Sequence, residues 1–525
     1  MIQFDFDEFQ AAAHRVGTHI HDYERHDVME LAKWMAATID EFTEASRPYI
    51  PAPSAVPAIR VSGPMPHRDE DPLNAIIRWT DVVAAPGETS NDLLAGKRVA
   101  MKDIIAVAGI PNSAASLLLD GYVPREDAVV SERVLRAGGR IVAMTNMEGV
   151  AFGGGGESGI YGATRNPFDP TRSTSGSSGG SAAALYYEGI DITFGTDQGG
   201  SVRLPASWCG VLGLKPSYGL VPYTGIASHD VTFDHVGPLT RTTENMALAM
   251  AAIAGAHPSD VRQSAATPSA LPFLEAWAEA PATYEGVRFG LLSETLESDG
   301  SPEREAALAG LMEAVERIRA LGGEVVEISI PEHQLAGSVL FAALLEGIAA
   351  TLYAHGESYH RGGAHSVDTQ RAIGKGMLAH GDELQAAYKT AAVLGEYLRS
   401  RYFGAVYATA QTVIPSLRAA YDKALSDVDV VLMLTTRTPA MLLKPEASDY
   451  EMHRRSFSMT TDTPAQNATG HPALSMPAAE SEGLPLGVTL VGRSFEDARL
   501  IALARTWERA YGWFPQRTPE FRPVG

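Results

Sequence analysis

Two glycine-rich serine motifs constrain this chain more than any other stretch: Gly-Ser-Ser-Gly-Gly-Ser at 176–181 and Gly-Thr-Asp-Gln-Gly-Gly-Ser-Val-Arg at 195–203. Glycine loses extra conformational entropy on folding, so glycine pairs beside hydroxyls mark tight turns that aim backbone N–H groups at something small and polar. Between the motifs, Ser181 to Tyr187 has helix-forming composition and Asp191 to Gly195 reads as a strand, which puts the second motif just past a strand end. Upstream, Arg98 to Met101 reads as a short strand carrying Lys102 to the edge of a sheet. A helix from about Asp127 to Ala137 stops at Gly138-Gly139, and Arg140 to Thr145 is another strand. The alternation returns at Val287 to Leu292, the helix opened by Ser301-Pro302, and Glu324 to Ile330; Val428 to Leu434 and Gly487 to Gly492 add further strands. This pattern predicts an α/β core.

At the amino terminus, Val28, Leu31, Met35, Ile39 and Phe42 recur at helical spacing between Asp22 and Ala45, giving one apolar face that needs cover from this chain or from a second copy. Six prolines from Pro48 to Pro66 then interrupt regular structure. The expected division is a helical domain over 1–70 and a catalytic domain over 71–525. Within the latter, residues 334–425 are mostly helical and suited to wall a substrate pocket.

Charge and cysteine content narrow the partners. The 63 acidic residues against 42 basic ones give a formal charge of −21, which repels a phosphate backbone and an anionic membrane, so neither nucleic acid nor membrane is expected. The single cysteine, Cys209, excludes an intramolecular disulfide and a cysteine-rich metal site, fits a reducing cytoplasm, and reads as a small core hydrophobe. The first residues lack the basic start and apolar core of a secretory signal, and apolar runs such as Met246 to Ala256 fall short of a membrane span. A soluble, cytoplasmic protein is expected.

Together with Lys102, the two motifs and the run Pro205-Ala-Ser-Trp-Cys-Gly-Val-Leu-Gly-Leu-Lys-Pro216 resemble the amidase signature family. The resemblance spans roughly residues 75–510 and returns at Asn467 to Gly492. It implies a mixed β-sheet core covered by helices, with Lys102, Ser177 and Ser201 as the catalytic set, a cis peptide between Gly176 and Ser177, and no metal or organic cofactor. Ser175 departs from the glycine usual before the middle serine. The Asp-Gln-Gly-Gly-Ser form, the helical amino-terminal extension and the Thr232 to Pro238 run look like the subgroup of amidases that hydrolyse small aliphatic and aromatic amides, often paired with nitrile hydratases. That likeness implies a homodimer and puts Gln198 near the bound amide.

The chemistry of these residues is acyl transfer. A serine hydroxyl needs a base, and lysine serves only when neutral; with a reference pKa near 10.4, roughly 0.04% is neutral at pH 7, a deficit of about 4.6 kcal/mol. Burial away from carboxylates must supply that shift, and adjacent Asp103 works against it unless it points elsewhere. Backbone N–H groups of Gln198, Gly199, Gly200 and Ser201 are the expected oxyanion donors. The expected activity is hydrolysis of a small carboxamide or anilide through a Ser201 acyl-enzyme. Alternatives within the fold are an aryl acylamidase, a carbamate or ester hydrolase, and an amidotransferase subunit that passes ammonia to a partner-held substrate. Gly176 to Gly180 also matches the G-x-S-x-G elbow, but two Asx-Pro breaks stand where an elbow needs a strand. Asp197 and Arg203 read as braces of the nucleophile loop, and His229 and His235 as loop or core residues, since no metal-spaced partners accompany them.

Overall fold

The computed structural model describes residues 2–49, 55–260, 262–356, 362, 364–519 and 521. The chain divides into two compact units, Met1–Ser54 and Ala55–Gly525. In the first, a capping box in which Asp5 and Glu8 exchange hydrogen bonds opens the helix Phe6–Arg15, and a 22-residue helix, Arg25–Ser46, follows. On that second helix Leu31, Trp34, Met35, Ile39 and Phe42 are all more than half exposed, so the described residues of this unit leave the periodic apolar face uncovered. The expected boundary at residue 70 moves to Ser54, because Ala58–Ser62 is a strand of the large sheet that the surrounding prolines concealed.

The second unit is built on one mixed sheet. In chain order its strands are β1 (Ala58–Ser62), β2 (Ile76–Ala84), β3 (Arg98–Lys102), β4 (Arg140–Thr145), β5 (Ile192–Asp197) and β6 (Leu212–Lys215). They continue with β7 (His235–Thr240), β8 (Arg288–Leu292), β9 (Glu324–Ile328), β10 (Val430–Leu434), β11 (Ala473–Ser481) and β12 (Leu484–Val491). Their spatial order is β1-β2-β4-β3-β5-β7-β6-β11-β12-β10-β8-β9. Around β3 the pairing with β4 and β5 is parallel, with Lys102 opposite Thr145 and Met101 opposite Phe194. The carboxyl ends of three neighbouring strands therefore open at one place, where ligands of open α/β sheets bind. Both faces are covered, and β5, β7, β10 and β12 are buried along their whole length, which explains the near-continuous rather than alternating apolar pattern of β10 and β12.

The helices read from sequence are present: Val129–Arg136, Gly179–Ala184, and Pro302–Ala320 with Ser301 as its N-cap. Residues 334–425 hold the helices Ala336–Tyr353, Val367–His380, Ala386–Tyr402 and Ala405–Asp427. One expectation is corrected here. The stretch Pro331–Tyr353 is long and apolar enough, by length and composition, to cross a membrane, although more than half of it is buried in the fold. Its α-helical part, Ala336–Tyr353, packs against Ala386–Tyr402 and Ala405–Asp427, the position of a core helix. The one carboxylate of that part, Glu346, is buried and accepts from the Tyr407 N–H.

Candidate active site

Lys102 ends β3 and is fully buried. Its Nζ donates to Ser177 Oγ at 2.6 Å and to Thr196 Oγ1 at 2.8 Å; among the described residues it forms no ion pair. Burial pushes the lysine down to about 7, while the charges of Asp197 and then Glu148 pull it back up. Asp103 does point elsewhere: its carboxylate accepts from the Ser113 N–H at 2.9 Å and from the Ser113 hydroxyl at 2.5 Å, and burial raises it to about 6.

The first serine motif leads into the helix Gly179–Ala184, which lies so close to the end of β4 that a Cβ at Gly180 would collide with the Asn146 backbone. The Gly176–Ser177 peptide is cis. It is gripped from one side by residues 148–154, with the Glu148 N–H on Ser177 O at 3.0 Å and the Gly176 N–H on Gly154 O at 2.7 Å. Ser175, the departure noted in the sequence, has φ +68°, a left-handed conformation that favours glycine. Its N–H is held by Ser173 Oγ and its hydroxyl by Gly154 O, both at 2.8 Å, and these bonds offset the backbone cost.

The second motif is brought beside the first: the Ser178 N–H donates to Ser201 O at 3.2 Å. Ser201 is largely buried, and its Oγ has no hydrogen-bond partner among the described residues. The loop 198–201 is organised by Asp197, whose carboxylate accepts from the Gly200 N–H at 2.7 Å and the Val202 N–H at 3.1 Å. Gly200 thus leaves the expected set of oxyanion donors, since its N–H is already engaged. The N–H groups of Gln198, Gly199 and Ser201 have no partner among the described residues.

Asp197 and Arg203 are both fully buried and joined by two hydrogen bonds of 3.0 Å. Burial alone would raise the Asp197 carboxyl, but Arg203 and Asn467 outweigh it and hold it far below the usual carboxylate range. A segment some 260 residues away completes the brace, with Arg203 donating to Gln466 Oε1 at 2.7 Å, Thr463 O at 2.9 Å and Asn467 Oδ1 at 2.7 Å. Thr463 Oγ1 donates to Gly199 O at 2.5 Å, and Asn467 Nδ2 to Asp197 O at 2.9 Å. Gly200, at φ +130°, has no room for a Cβ beside Thr463. The sequence reading marked Asn467 as motif-like but missed Thr463 and Gln466, which carry no local signal.

Gln198 is buried, with its amide nitrogen on Tyr223 OH at 2.8 Å and on Asp234 Oδ1 at 3.1 Å. Burial raises Asp234 to about 7. Among the described residues no cluster of histidine, cysteine and carboxylates suits a metal ion, and Cys209 is buried in the core.

A twelve-stranded mixed sheet with a buried lysine and two glycine-framed serine turns at its strand ends is the amidase signature architecture. The chain matches the family described as Amidase over residues 76–501, and it belongs to that family. It is 35% identical over 452 residues to a glutamyl-tRNA(Gln) amidotransferase subunit from Anaeromyxobacter sp. (strain K), covering 85% of this chain and 88% of the relative. Among solved structures it is similar to the corresponding glutamyl-tRNA(Gln) amidotransferase subunit from Thermotoga maritima, with a TM-score of 0.66, 28% identity and coverage of 81% and 86% of the two chains. It is also similar to the native peptide amidase of Stenotrophomonas maltophilia, with a TM-score of 0.65, 27% identity and coverage of 82% and 85%.

Proposed function

We propose that the chain is a self-contained amidase that hydrolyses a small aliphatic or aromatic carboxamide, or an anilide, through an acyl-enzyme on Ser201. The observation that carries this reading is Lys102: a lysine pushed to about 7, bonded to two hydroxyls and, among the described residues, to no carboxylate, is neutral often enough to act as a base near neutral pH. Lys102 takes the proton of Ser177, Ser177 takes that of Ser201, and Ser201 Oγ attacks the amide carbon. The oxygen, now negative, is met by the N–H groups of Gly199 and Ser201, with Gln198 adjoining. The proton returns through Ser177 to the departing nitrogen, the C–N bond breaks, and water enters by the same relay to release the carboxylate. No cofactor takes part. The Gln-Gly-Gly-Ser loop supports the small-amide subgroup, the exposed apolar face of the Arg25–Ser46 helix supports a homodimer, and the single cysteine fits the cytoplasm.

A second reading, an amidotransferase subunit that releases ammonia from an amide donor for use by a partner, is favoured by the curated relatives at 32–35% identity. The two readings separate on substrate. Product release is measured from benzamide, propionamide, acetanilide and L-glutamine with wild type and Ser201→Ala. Turnover of any of the first three by wild type alone supports the self-contained amidase. Turnover of L-glutamine alone supports the amidotransferase reading, and equal rates in both proteins remove Ser201 as nucleophile.

A further inference from the structure

Lys102 has a second hydroxyl partner that the relay through Ser177 leaves unused. Thr196 is the penultimate residue of β5, and successive side chains on a strand point to opposite faces. Asp197 serves the nucleophile loop, where it accepts from the Gly200 N–H, while Thr196 Oγ1 on the other face accepts from Lys102 Nζ at 2.8 Å. Thr196 and Lys102 are both fully buried, so bulk water does not compete for either.

A hydroxyl oxygen in this position serves as an acceptor only while its own proton lies elsewhere. The partner for that proton is Tyr223, whose phenol oxygen is hydrogen-bonded by the Thr196 hydroxyl and by the Gln198 amide, the latter at 2.8 Å. Tyr223 in turn donates to Ala227 O at 3.3 Å, and a carbonyl oxygen only accepts. The chain of bonds therefore runs one way, from a Lys102 N–H to Thr196, to Tyr223 and to the Ala227 carbonyl. Burial raises Tyr223 well above the usual phenol range, so it keeps its proton at neutral pH and the direction holds.

A neutral lysine amine carries two N–H groups and one lone pair, and only the lone pair takes the Ser177 proton. A Thr196 proton free to turn would occupy that lone pair. With the proton held on Tyr223, the lone pair is left for Ser177 Oγ, 2.6 Å away. We propose that Thr196, oriented by Tyr223, is a positioning residue for the base: it accepts from neutral Lys102 without donating to it, and so keeps the lone pair on Ser177. This rests on Lys102 acting as the base, whichever amide is the substrate.

The probe is phenylmethylsulfonyl fluoride, which tests the base without a known substrate. Ser201 Oγ attacks the sulfur, fluoride leaves, and the serine proton passes through Ser177 to Lys102. Labelling of Ser201, located by mass spectrometry, is timed from pH 5 to 9 in wild type, Thr196→Val, Thr196→Ser and Tyr223→Phe. In wild type the rate should rise to a plateau through about pH 7. Thr196→Val keeps the shape but accepts nothing, so its plateau should fall at least about tenfold. Its rise should also move down by roughly one pH unit, because the ammonium form has lost an acceptor. Thr196→Ser should restore both, and Tyr223→Phe should lower the plateau by freeing the Thr196 proton.

A merely structural role shifts the rise the other way, since a loosened site admits water and relieves the burial that lowers Lys102. The other groups that face Lys102 are the same in every variant: Asp197 on β5, Glu148 after β4, and His229, which is uncharged above about 4. Asp103, next in the chain, is turned to Ser113. In Thr196→Val, any result other than a lower plateau with a downward shift overturns the proposal and leaves Lys102 as the base. A flat wild-type profile removes the base reading and the proposal with it. Where Thr196→Val does not fold, an unchanged plateau in Tyr223→Phe overturns the proposal. Where Ser201 is not labelled, the ¹³C titration of the lysine ε-carbon signal that Lys102→Met lacks reads the same downward shift directly, and its absence in Thr196→Val overturns the proposal.

Discussion

Replacing Lys102 by methionine should abolish activity and stabilise the protein, by an amount that depends on pH in a defined direction. In the unfolded chain this lysine keeps its proton up to about pH 10.5, whereas burial has brought the folded value down to about 7. At about 1.4 kcal/mol per tenfold change, that difference is a penalty of about 5 kcal/mol on the folded state. Between pH 7 and 10.5 the unfolded state binds one more proton, so the wild type gains stability as pH rises through this window. The penalty is complete below pH 7 and disappears toward pH 10.5. Methionine carries no penalty and fills a similar apolar volume, but it leaves the Ser177 and Thr196 hydroxyls without their donor, at about 1 kcal/mol each. The net expectation is a gain of about 2–3 kcal/mol at pH 6–7, shrinking by about 1.4 kcal/mol per pH unit above that. Urea denaturation of both proteins at pH 6, 7.5 and 9 measures it. Lys215 is also buried and also pushed to about 7, but it is present in both proteins and cancels in the difference. A methionine variant less stable than wild type at pH 6, or a difference that does not change with pH, refutes the argument that Lys102 is held neutral by burial. Stability withheld for function is a common trade in active sites.

Three other predictions concern the loops around it. The pH profile of kcat/KM should rise through about 7 as Lys102 loses its proton, and a profile flat from pH 5 to 9 removes lysine as the base. Arg203→Met should destabilise by about 3–5 kcal/mol in urea titrations, because Asp197 is left charged and buried without its partner; Arg203→Lys should restore little of it, since one ammonium does not replace a fork bound to four groups. Ser175→Gly should change stability by less than about 1 kcal/mol, the relief of the left-handed backbone offsetting the lost hydroxyl bond, whereas Ser175→Val should cost a few kcal/mol, both read from thermal melts.

How much of this was legible beforehand follows from how locally each feature is encoded. The serine motifs and Lys102 were readable because each requires glycines, hydroxyls or a strand end within a few residues of itself. Most strands between Arg98 and Ile328 were readable for the same reason. The edge strand Ala58–Ser62 was not, because prolines on either side masked it; β2 was not read either, and β6, β7 and β11 were missed because they carry short or glycine- and proline-interrupted patterns. Asp103 illustrates a different limit: its chemistry suggested a conflict with Lys102, and only the fold turned it toward Ser113.

By itself the sequence determined the family, the α/β class and the two serine turns, since these depend on backbone preferences and residue types that act over short range. Only the tertiary structure decided which N–H groups remain available in the nucleophile loop, and that Thr463 and Gln466 clamp it. Hydrogen bonding and burial are properties of neighbours in space. Residues some 260 positions apart become neighbours only when the sheet has closed its order.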